Sequence, residues 1–295
     1  MPDIAMTVIS PEMISGRGEL GQYDLGRFDK KCLAQGDSWF SIGHLPPWST
    51  TNLLQQMVLS KSVVAVNCAR PGIELSHMTD GTNQQEFLRL LRGPLAYRWD
   101  GILLSGGGND IIDAALSPAT NSADQRLFLN TKEWPTAIAA GSEGSAFISE
   151  LGWQSFRSHM NDVFDQFVEE RDRGINNGVP LFFHTYDFLT PRNAPAGPGF
   201  GPWLYKALND VYGISPLYWQ AVADELLGRL RTLLQGIVNN RPGKNLHLID
   251  SLGTLAAARP RTQGVDGDWE NEIHPTPHGY SLLARKWRAE LDATL

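Results

Sequence analysis

The feature that most constrains the fold is a repeated alternation along the chain. From residue 31 onward, short apolar runs alternate with longer segments in which apolar residues recur at helical spacing. This alternation is typical of βα units, which assemble into a mostly parallel sheet with helices on its faces. We therefore predict an α/β fold with about five parallel strands, at residues 31–35, 62–67, 100–105, 179–185 and 245–250.

Several segments between and after these strands have the pattern of amphipathic helices. Residues 156–167 and 219–237 carry apolar side chains at helical spacing. Thr82 and Gln85 form a capping box ahead of another apolar segment. Thr276 suits the N-cap of a last helix, because a proline follows it at the first helical position.

Two stretches do not follow the alternation. Residues 1–30 show no clear period, and we predict an N-terminal extension to a single domain over 31–295. Residues 188–216 are rich in Pro, Gly and aromatic residues and are predicted to form a long excursion after the fourth strand. Ligands of open parallel sheets bind outside the carboxyl ends of the strands. The excursion is therefore expected to emerge at the functional edge.

Charge and hydropathy exclude several classes of partner. The chain has 25 Lys and Arg against 32 Asp and Glu, a formal net charge of −7, and no basic run that would attract nucleic acid or anionic lipid. No window approaches 18 uninterrupted apolar residues, and the first twenty residues lack the pattern of a Sec signal peptide. We expect a soluble, cytoplasmic protein with no membrane span, export by another route being the alternative.

Cys32 and Cys68 lack zinc-ligand spacing, and no metal is expected.

The segments that follow the strands contain the groups that acyl transfer requires. Ser38 follows the first strand, Gly72 the second and Asn109 the third, and His274 comes after the fifth. A serine hydroxyl attacks an ester when an imidazole accepts its proton, and preorganised donors must stabilise the resulting oxyanion. Ser38 is thus the candidate nucleophile and His274 the candidate general base. The backbone N–H groups of Ser38 and Gly72 and the side-chain amide of Asn109 are the candidate oxyanion donors.

Four blocks in this order resemble those of the SGNH hydrolases, also called GDSL esterases and lipases. The blocks are Gly36-Asp37-Ser38, the glycine at 72, Gly107-Gly108-Asn109-Asp110 and His274-Pro275, and the resemblance covers residues 31–285. It implies a three-layer flavodoxin-like sandwich and serine-dependent hydrolysis of carboxylic esters without a cofactor or metal. It also implies an oxyanion hole formed by Ser38, Gly72 and Asn109. The substrate would be a small-molecule, lipid or carbohydrate ester.

The sequence departs from the family pattern at one position. The family usually has an aspartate three residues before the catalytic histidine, where this chain has Asn271. An amide can orient the imidazole but cannot stabilise an imidazolium by charge, and the equivalent change in a serine protease costs about 10⁴ in kcat. We therefore predict a Ser38–His274 dyad with Asn271 or Asp250 as the orienting residue. Other carboxylates close enough in sequence to supply charge are Asp268, Glu270 and Glu272.

Other interpretations stay open at this stage. A degenerate hydrolase fold that binds an acylated or glycosylated ligand without turnover is the main alternative to an enzyme. The loop at 106–110 also has the glycine content of a phosphate-binding turn. Asp37, Trp39 and His184 are possible pocket residues, and Asp37 is expected mainly to fix the nucleophile turn through backbone hydrogen bonds. Other aromatic residues that would line an acyl pocket or pack in the core are Phe40, Trp48, Phe200 and Trp203.

Overall fold

A parallel sheet of six strands forms the centre of the molecule in the computed structural model, which describes residues 3–16, 21–41, 51–81, 85–94, 96–134, 138 and 144–295. The spatial order of the strands is β1-β3-β2-β4-β5-β6, and each neighbouring pair is parallel. In chain order the strands are β1 (Thr7–Ile9), β2 (Lys30–Gly36), β3 (Val63–Asn67), β4 (Gly101–Ser105), β5 (Leu181–His184) and β6 (Leu246–Ile249).

The five predicted strands are present, and β1 is an addition to them. This strand lies in the segment predicted as an N-terminal extension, and its Val8 is in register with Ala65 of β3. Its neighbour Met6 and its last residue Ile9 are buried. A strand of three residues is too short to show an alternating pattern, which explains why the sequence did not reveal it. Ile4–Ala5 pairs separately with Val58–Leu59 in an antiparallel ladder.

Helices flank the sheet, and their starts follow local capping rules. The predicted segment 156–167 lies within a helix that Ser149 caps by accepting from the Gly152 N–H. The predicted N-cap Thr276 accepts from the Gly279 N–H at 3.1 Å. Thr82 lies outside the described residues. The α-helices are α1 (Ser38–Ser41), α2 (Leu75–Met78), α3 (Gln85–Leu91), α4 (Gly108–Ala115), α5 (Glu150–Asp172), α6 (Leu204–Lys206), α7 (Trp219–Asn239) and α8 (Pro277–Thr294).

The carboxyl ends of the strands lie along one edge of the sheet, as expected for parallel strands. Short helical turns are also present, at Pro11–Met13, Leu25–Arg27, Leu54–Gln56, Ala123–Gln125 and Gly144–Phe147, and a π-helical turn, Ala207–Val211, continues α6. Among the residues that the structure describes, no helix has the length and apolarity needed to cross a bilayer. The loops that follow β2, β4 and β5, together with the segment before α8, bring the candidate site residues to this edge.

Candidate active site

The candidate nucleophile lies at a sharp turn from strand to helix. Strand β2 ends at Gly36, and α1 begins at Ser38. The backbone carbonyl of Asp37 accepts hydrogen bonds from the N–H groups of Phe40 and Ser41, which closes the first turn of α1. A Cβ atom at position 36 would lie 2.9 Å from both the carbonyl oxygen and the Cβ of Ser105, so only glycine fits the close approach to β4. The first turn of α1 on one side and the close contact of β2 with β4 on the other therefore fix the backbone of Ser38.

The carboxylate of Asp37 is buried directly behind this turn. Its Oδ1 accepts hydrogen bonds from the Trp39 N–H at 3.0 Å and from the Ser105 hydroxyl at 2.8 Å, and its Oδ2 accepts one from the Tyr186 hydroxyl. Burial raises the pKa of Asp37 to about 6, although these hydrogen bonds favour the ionised form. Asp37 thus ties α1 to β4 and to the segment after β5.

His184 belongs to the same buried network and does not face the solvent. Its Nε2 lies 3.0 Å from the Ser105 hydroxyl, and its Nδ1 lies 2.7 Å from the carbonyl oxygen of Thr185. Burial lowers the pKa of His184 to about 4, so the ring is neutral near pH 7. The imidazole stacks on Trp39 with 5.3 Å between ring centroids. The structure therefore places this possible pocket residue in the core behind Trp39, because its ring is only 1% exposed.

The structure brings the candidate base onto the candidate nucleophile. Nε2 of His274 lies 2.8 Å from Oγ of Ser38, and Nδ1 of His274 lies 3.0 Å from Oδ1 of Asn271. The same Oδ1 accepts from the backbone N–H groups of Ile273 and His274 at 3.1 and 3.0 Å. Because backbone N–H groups can only donate, this arrangement places the amide oxygen against the imidazole. Nδ1 then carries the proton, and Nε2 is left to accept the proton of Ser38.

Asp250, the other candidate for orienting the imidazole, is occupied elsewhere. Its Oδ2 accepts hydrogen bonds from Nε and Nη2 of Arg231 at 2.8 and 2.5 Å, and its side chain is 39% exposed. Its Oδ1 lies 3.4 Å from the Thr185 hydroxyl. The partner of the His274 ring in the structure is therefore the amide of Asn271.

Glu272 and Arg192 connect the segment that carries His274 (residues 271–276, here called the histidine loop) to the excursion after β5. The buried carboxylate of Glu272 accepts hydrogen bonds from the backbone N–H groups of Trp203 and Tyr205 at 2.5 and 2.6 Å. Arg192 donates to the carbonyl oxygen of Asn271 at 2.7 Å. Burial raises the pKa of Glu272 to about 7. The sequence marked Glu272 only as a possible source of charge, and nothing in the sequence marked Arg192.

Two aromatic contacts complete the surroundings of His274. The Trp203 ring packs edge-on against the imidazole, with 5.5 Å between centroids and 80° between planes. Nε1 of Trp39, in α1, donates to the carbonyl oxygen of Ile273 at 3.1 Å. The nucleophile helix and the histidine loop are thus joined directly. The excursion also holds the imidazole on one side.

The candidate oxyanion donors differ in how closely they approach the nucleophile. Asn109 lines the same cleft as Ser38, and its Nδ2 donates to the carbonyl oxygen of Ile73 at 3.0 Å, which leaves a second N–H for a ligand. Gly72 lies in the loop that ends at Ile73 and has φ of +75°, but it is exposed and is not among the described residues that line the cleft. The Asp110 carboxylate accepts from the Leu75 N–H with both oxygens at 3.1 Å, and burial raises its pKa to about 7.

The start of α4 is a poor site for a phosphate. A phosphate at the 106–110 loop would lie close to the Asp110 carboxyl group. The ring of Tyr186 also covers this turn, since a Cβ at Gly108 would lie 2.7 Å from Cζ of that ring.

A narrow cleft opens beside Ser38. Its cavity volume is about 40 Å³. Trp39 lines the cleft, whereas Phe40 is fully buried, Phe200 is 60% exposed and Trp48 lies outside the described residues. The lining consists of Asp37, Ser38, Trp39, Gly108, Asn109, Ile111, Ile112, Tyr186, Asp187, Leu189, Leu204, Leu226, Leu227, Trp269 and Ile273.

The arrangement could supply a hydroxyl group and an oriented imidazole to the same reaction. Ser38, His274 and Asn271 form one chain of hydrogen bonds, and Asn109 lines the cleft beside Ser38. Across the described part of the chain, no three His, Cys, Asp or Glu side chains come together in a group that would hold a metal ion.

Comparisons with known proteins agree with this architecture. No protein-family model and no curated protein matches the sequence. An extracellular lipase from Streptomyces rimosus has a TM-score of 0.50 at 15% identity, over 90% of this chain and 100% of that chain. The lipase Lip_vut3 from a goat rumen metagenome has a TM-score of 0.49 at 14% identity, over 88% of this chain and 96% of that one. The chain has the fold of the SGNH hydrolases, which confirms the fold implied by the sequence resemblance.

Proposed function

We propose that the protein hydrolyses carboxylic esters through an acyl-serine intermediate on Ser38. The observation that carries this proposal is the 2.8 Å separation between Oγ of Ser38 and Nε2 of His274, with Nδ1 of the same ring on Asn271. This geometry is what a serine needs in order to lose its proton as it attacks. The fold alone would not support the proposal, since one fold can serve many functions.

The reaction proceeds in two balanced halves. The Ser38 oxygen bonds to the ester carbonyl carbon while His274 takes the hydroxyl proton, and the tetrahedral oxyanion forms. His274 then returns that proton to the leaving alcohol as the bond between the carbonyl carbon and the alcohol oxygen breaks. Water next attacks the acyl-serine, giving its proton to His274, and the carboxylic acid is released as Ser38 regains its hydrogen.

The proposed oxyanion hole contains the Ser38 N–H, the Gly72 N–H and the Asn109 side chain. Asn109 has the strongest support because it lines the cleft of Ser38 and its amide is held by the Ile73 carbonyl oxygen. Donors of this kind stabilise the negative charge that develops in the transition state, and they act without reorganisation. Gly72 would contribute only if its loop approaches the substrate more closely.

The second candidate is a binding protein for an acylated or glycosylated ligand without turnover. The observation that favours it is Asn271, because a neutral amide orients the imidazole but does not stabilise the imidazolium by charge. The two candidates differ in whether an acyl group is ever attached to Ser38.

The test is hydrolysis of p-nitrophenyl butyrate by wild type, Ser38→Ala and Ser155→Ala, the last a control at an exposed serine of α5. We expect Ser38→Ala to lower kcat by on the order of 10⁶, as in other serine hydrolases, and Ser155→Ala to retain the wild-type rate. A fluorophosphonate should label Ser38, which mass spectrometry would locate. Equal background rates in all three proteins, with no label on Ser38, would favour the binding protein.

A further inference from the structure

The wall of the cleft beside Ser38 is almost entirely apolar beyond the reacting groups. Ile111 and Ile112 come from α4, Leu226 and Leu227 from α7, and Leu204 from the excursion. All five side chains are at most 8% exposed. A sugar in this space would leave its hydroxyl groups without partners, which is costly, whereas an alkyl group gains from burial.

The two carboxylates that line the cleft already accept several hydrogen bonds from the protein. Asp187 accepts hydrogen bonds from the backbone N–H groups of Phe188, Gly253, Thr254 and Leu255. Asp37 is occupied by Trp39, Ser105 and Tyr186. Each oxygen of both carboxylates therefore already accepts at least one hydrogen bond from the protein. The cleft therefore recognises its occupant by shape and apolar contact.

The position of the cleft indicates which half of an ester it holds. In the proposed reaction the leaving alcohol must face His274, because it receives the proton from Nε2. Ser38, Gly108 and Asn109 line the cleft, and the segment before α8 contributes Trp269 and Ile273, whereas His274 is not among the described lining residues. The group in the cleft is thus on the carbonyl side of the ester, and the alcohol leaves on the other side.

The width of the cleft is limited by a wall that the structure holds in place. Leu204 lies between Trp203 and Tyr205, and the N–H groups of both neighbours are bound by the buried Glu272 carboxylate. The cavity volume is only about 40 Å³. A single unbranched chain fits such a space, whereas a branched or cyclic group would have to displace Leu204 and its anchor.

We propose that this cleft is the acyl slot of the enzyme and selects esters of unbranched, saturated alkanoic acids longer than acetate. The proposal rests on the proposed function, since it assigns the acyl half of the same reaction. It places Leu204, Leu227 and Ile112 as specificity-determining residues and Glu272 as the residue that positions Leu204.

The experiment compares kcat/KM for p-nitrophenyl acetate, butyrate, hexanoate and octanoate. In wild type we expect kcat/KM to rise by about fourfold for each CH₂ buried, until the slot is full. Leu227→Trp should lower the ratio of hexanoate to acetate, and Ile112→Ala should move the optimum to a longer chain. Misfolding would not produce opposite shifts in two variants. Leu217→Trp is the matched control, because Leu217 is 81% exposed and does not line the cleft.

The outcomes separate this proposal from the proposed function. Hydrolysis that depends on Ser38 but is flat with chain length, or best for acetate, would overturn the slot and leave ester hydrolysis standing. If no ester is hydrolysed, binding of hexanamide and acetamide to the Ser38→Ala protein, followed by methyl NMR shifts of the lining leucines, decides the matter. Hexanamide binding that is stronger than acetamide binding and is weakened by Leu227→Trp supports the slot. Equal or absent binding of the two amides overturns it.

Discussion

The two halves of the candidate site are built in different ways. Ser38 lies where a central strand passes directly into a helix, and its position is fixed by ladder hydrogen bonds and by the buried Asp37 carboxylate. His274 lies in an irregular segment before α8 and is held by side chains from other segments, namely Asn271, Trp203 and, indirectly, Glu272.

The two halves of the site are therefore stabilised by different kinds of contact. The nucleophile side depends on close packing of β2 against β4, where Gly36 allows the approach. The histidine side depends on a few hydrogen bonds between distant segments of chain. Substitutions near Ser38 should therefore alter activity or stability by changing charge and burial. Substitutions near His274 should alter them by changing the position of the imidazole and of the excursion. The predictions below test that contrast.

Among variants that keep Ser38, the largest effect on kcat is expected for the proposed oxyanion donor Asn109. Asn109→Ala removes one preorganised donor and should lower kcat by about 10² to 10³ while the protein stays folded. Steady-state kinetics with p-nitrophenyl butyrate measures the loss, and circular dichroism checks folding. An unchanged kcat would remove Asn109 from the oxyanion hole.

The next effect is on stability, because the ionisation of Asp37 should make the free energy of unfolding depend on pH. Because burial raises its pKa from 3.8 to about 6, its contribution to stability is present below pH 4 and is lost as the pH rises through 6. Relative to Asp37→Asn, wild type should lose up to about 3 kcal/mol of unfolding free energy between pH 4 and pH 8. Urea unfolding at several pH values measures the difference, with the exposed Asp162→Asn as the control. A constant difference between wild type and Asp37→Asn would show that the buried carboxyl does not titrate in this range.

On the histidine side, Glu272→Gln should lower the unfolding free energy by roughly 2 kcal/mol. The substitution turns an amide NH₂ toward one of the N–H groups of Trp203 and Tyr205, which then loses its acceptor. Urea unfolding compares it with Glu169→Gln, a change at an exposed glutamate of α5. Identical unfolding midpoints for all three proteins would mean that the excursion is held mainly by other contacts.

The smallest effect concerns the orienting residue. Asn271→Ala removes one hydrogen bond to the imidazole, worth about 1.4 kcal/mol or tenfold in kcat. Asp250→Ala removes an exposed ion pair with Arg231 and should change kcat by less than about twofold. Parallel kinetics of the two variants gives the comparison. A larger loss for Asp250→Ala than for Asn271→Ala would reverse the assignment drawn from the structure.

The elements and site residues that could be predicted are those whose sequence pattern lies within one short stretch of the chain. The central strands and the helices of α5, α7 and α8 carry apolar patterns within one element, and the sequence placed them correctly. Ser38 and His274 stood out because each belongs to a short block with a chemical role, and the structure brings the two side chains into contact.

The parts that could not be predicted depend on contacts between distant segments. Strand β1 is stabilised by pairing with β3. A pattern of three residues does not predict such a pairing. The choice of Asn271 over Asp250 depends on where Arg231 lies, and the part played by Arg192 depends on the carbonyl oxygens of a segment about 80 residues away. His184 looked like a pocket residue because it ends a strand, but Trp39 covers it.

The attachment of Glu272 to both neighbours of Leu204 also bears on how the proposed enzyme could be redesigned. One carboxylate supports the wall of the proposed acyl slot and lies two residues from the proposed base. Grafting the excursion of another hydrolase onto this scaffold would therefore disturb turnover as well as selectivity, unless the graft supplied two backbone N–H groups at the same places. Libraries that vary residues 188–216 should keep 203 and 205 able to donate, which excludes proline at both positions.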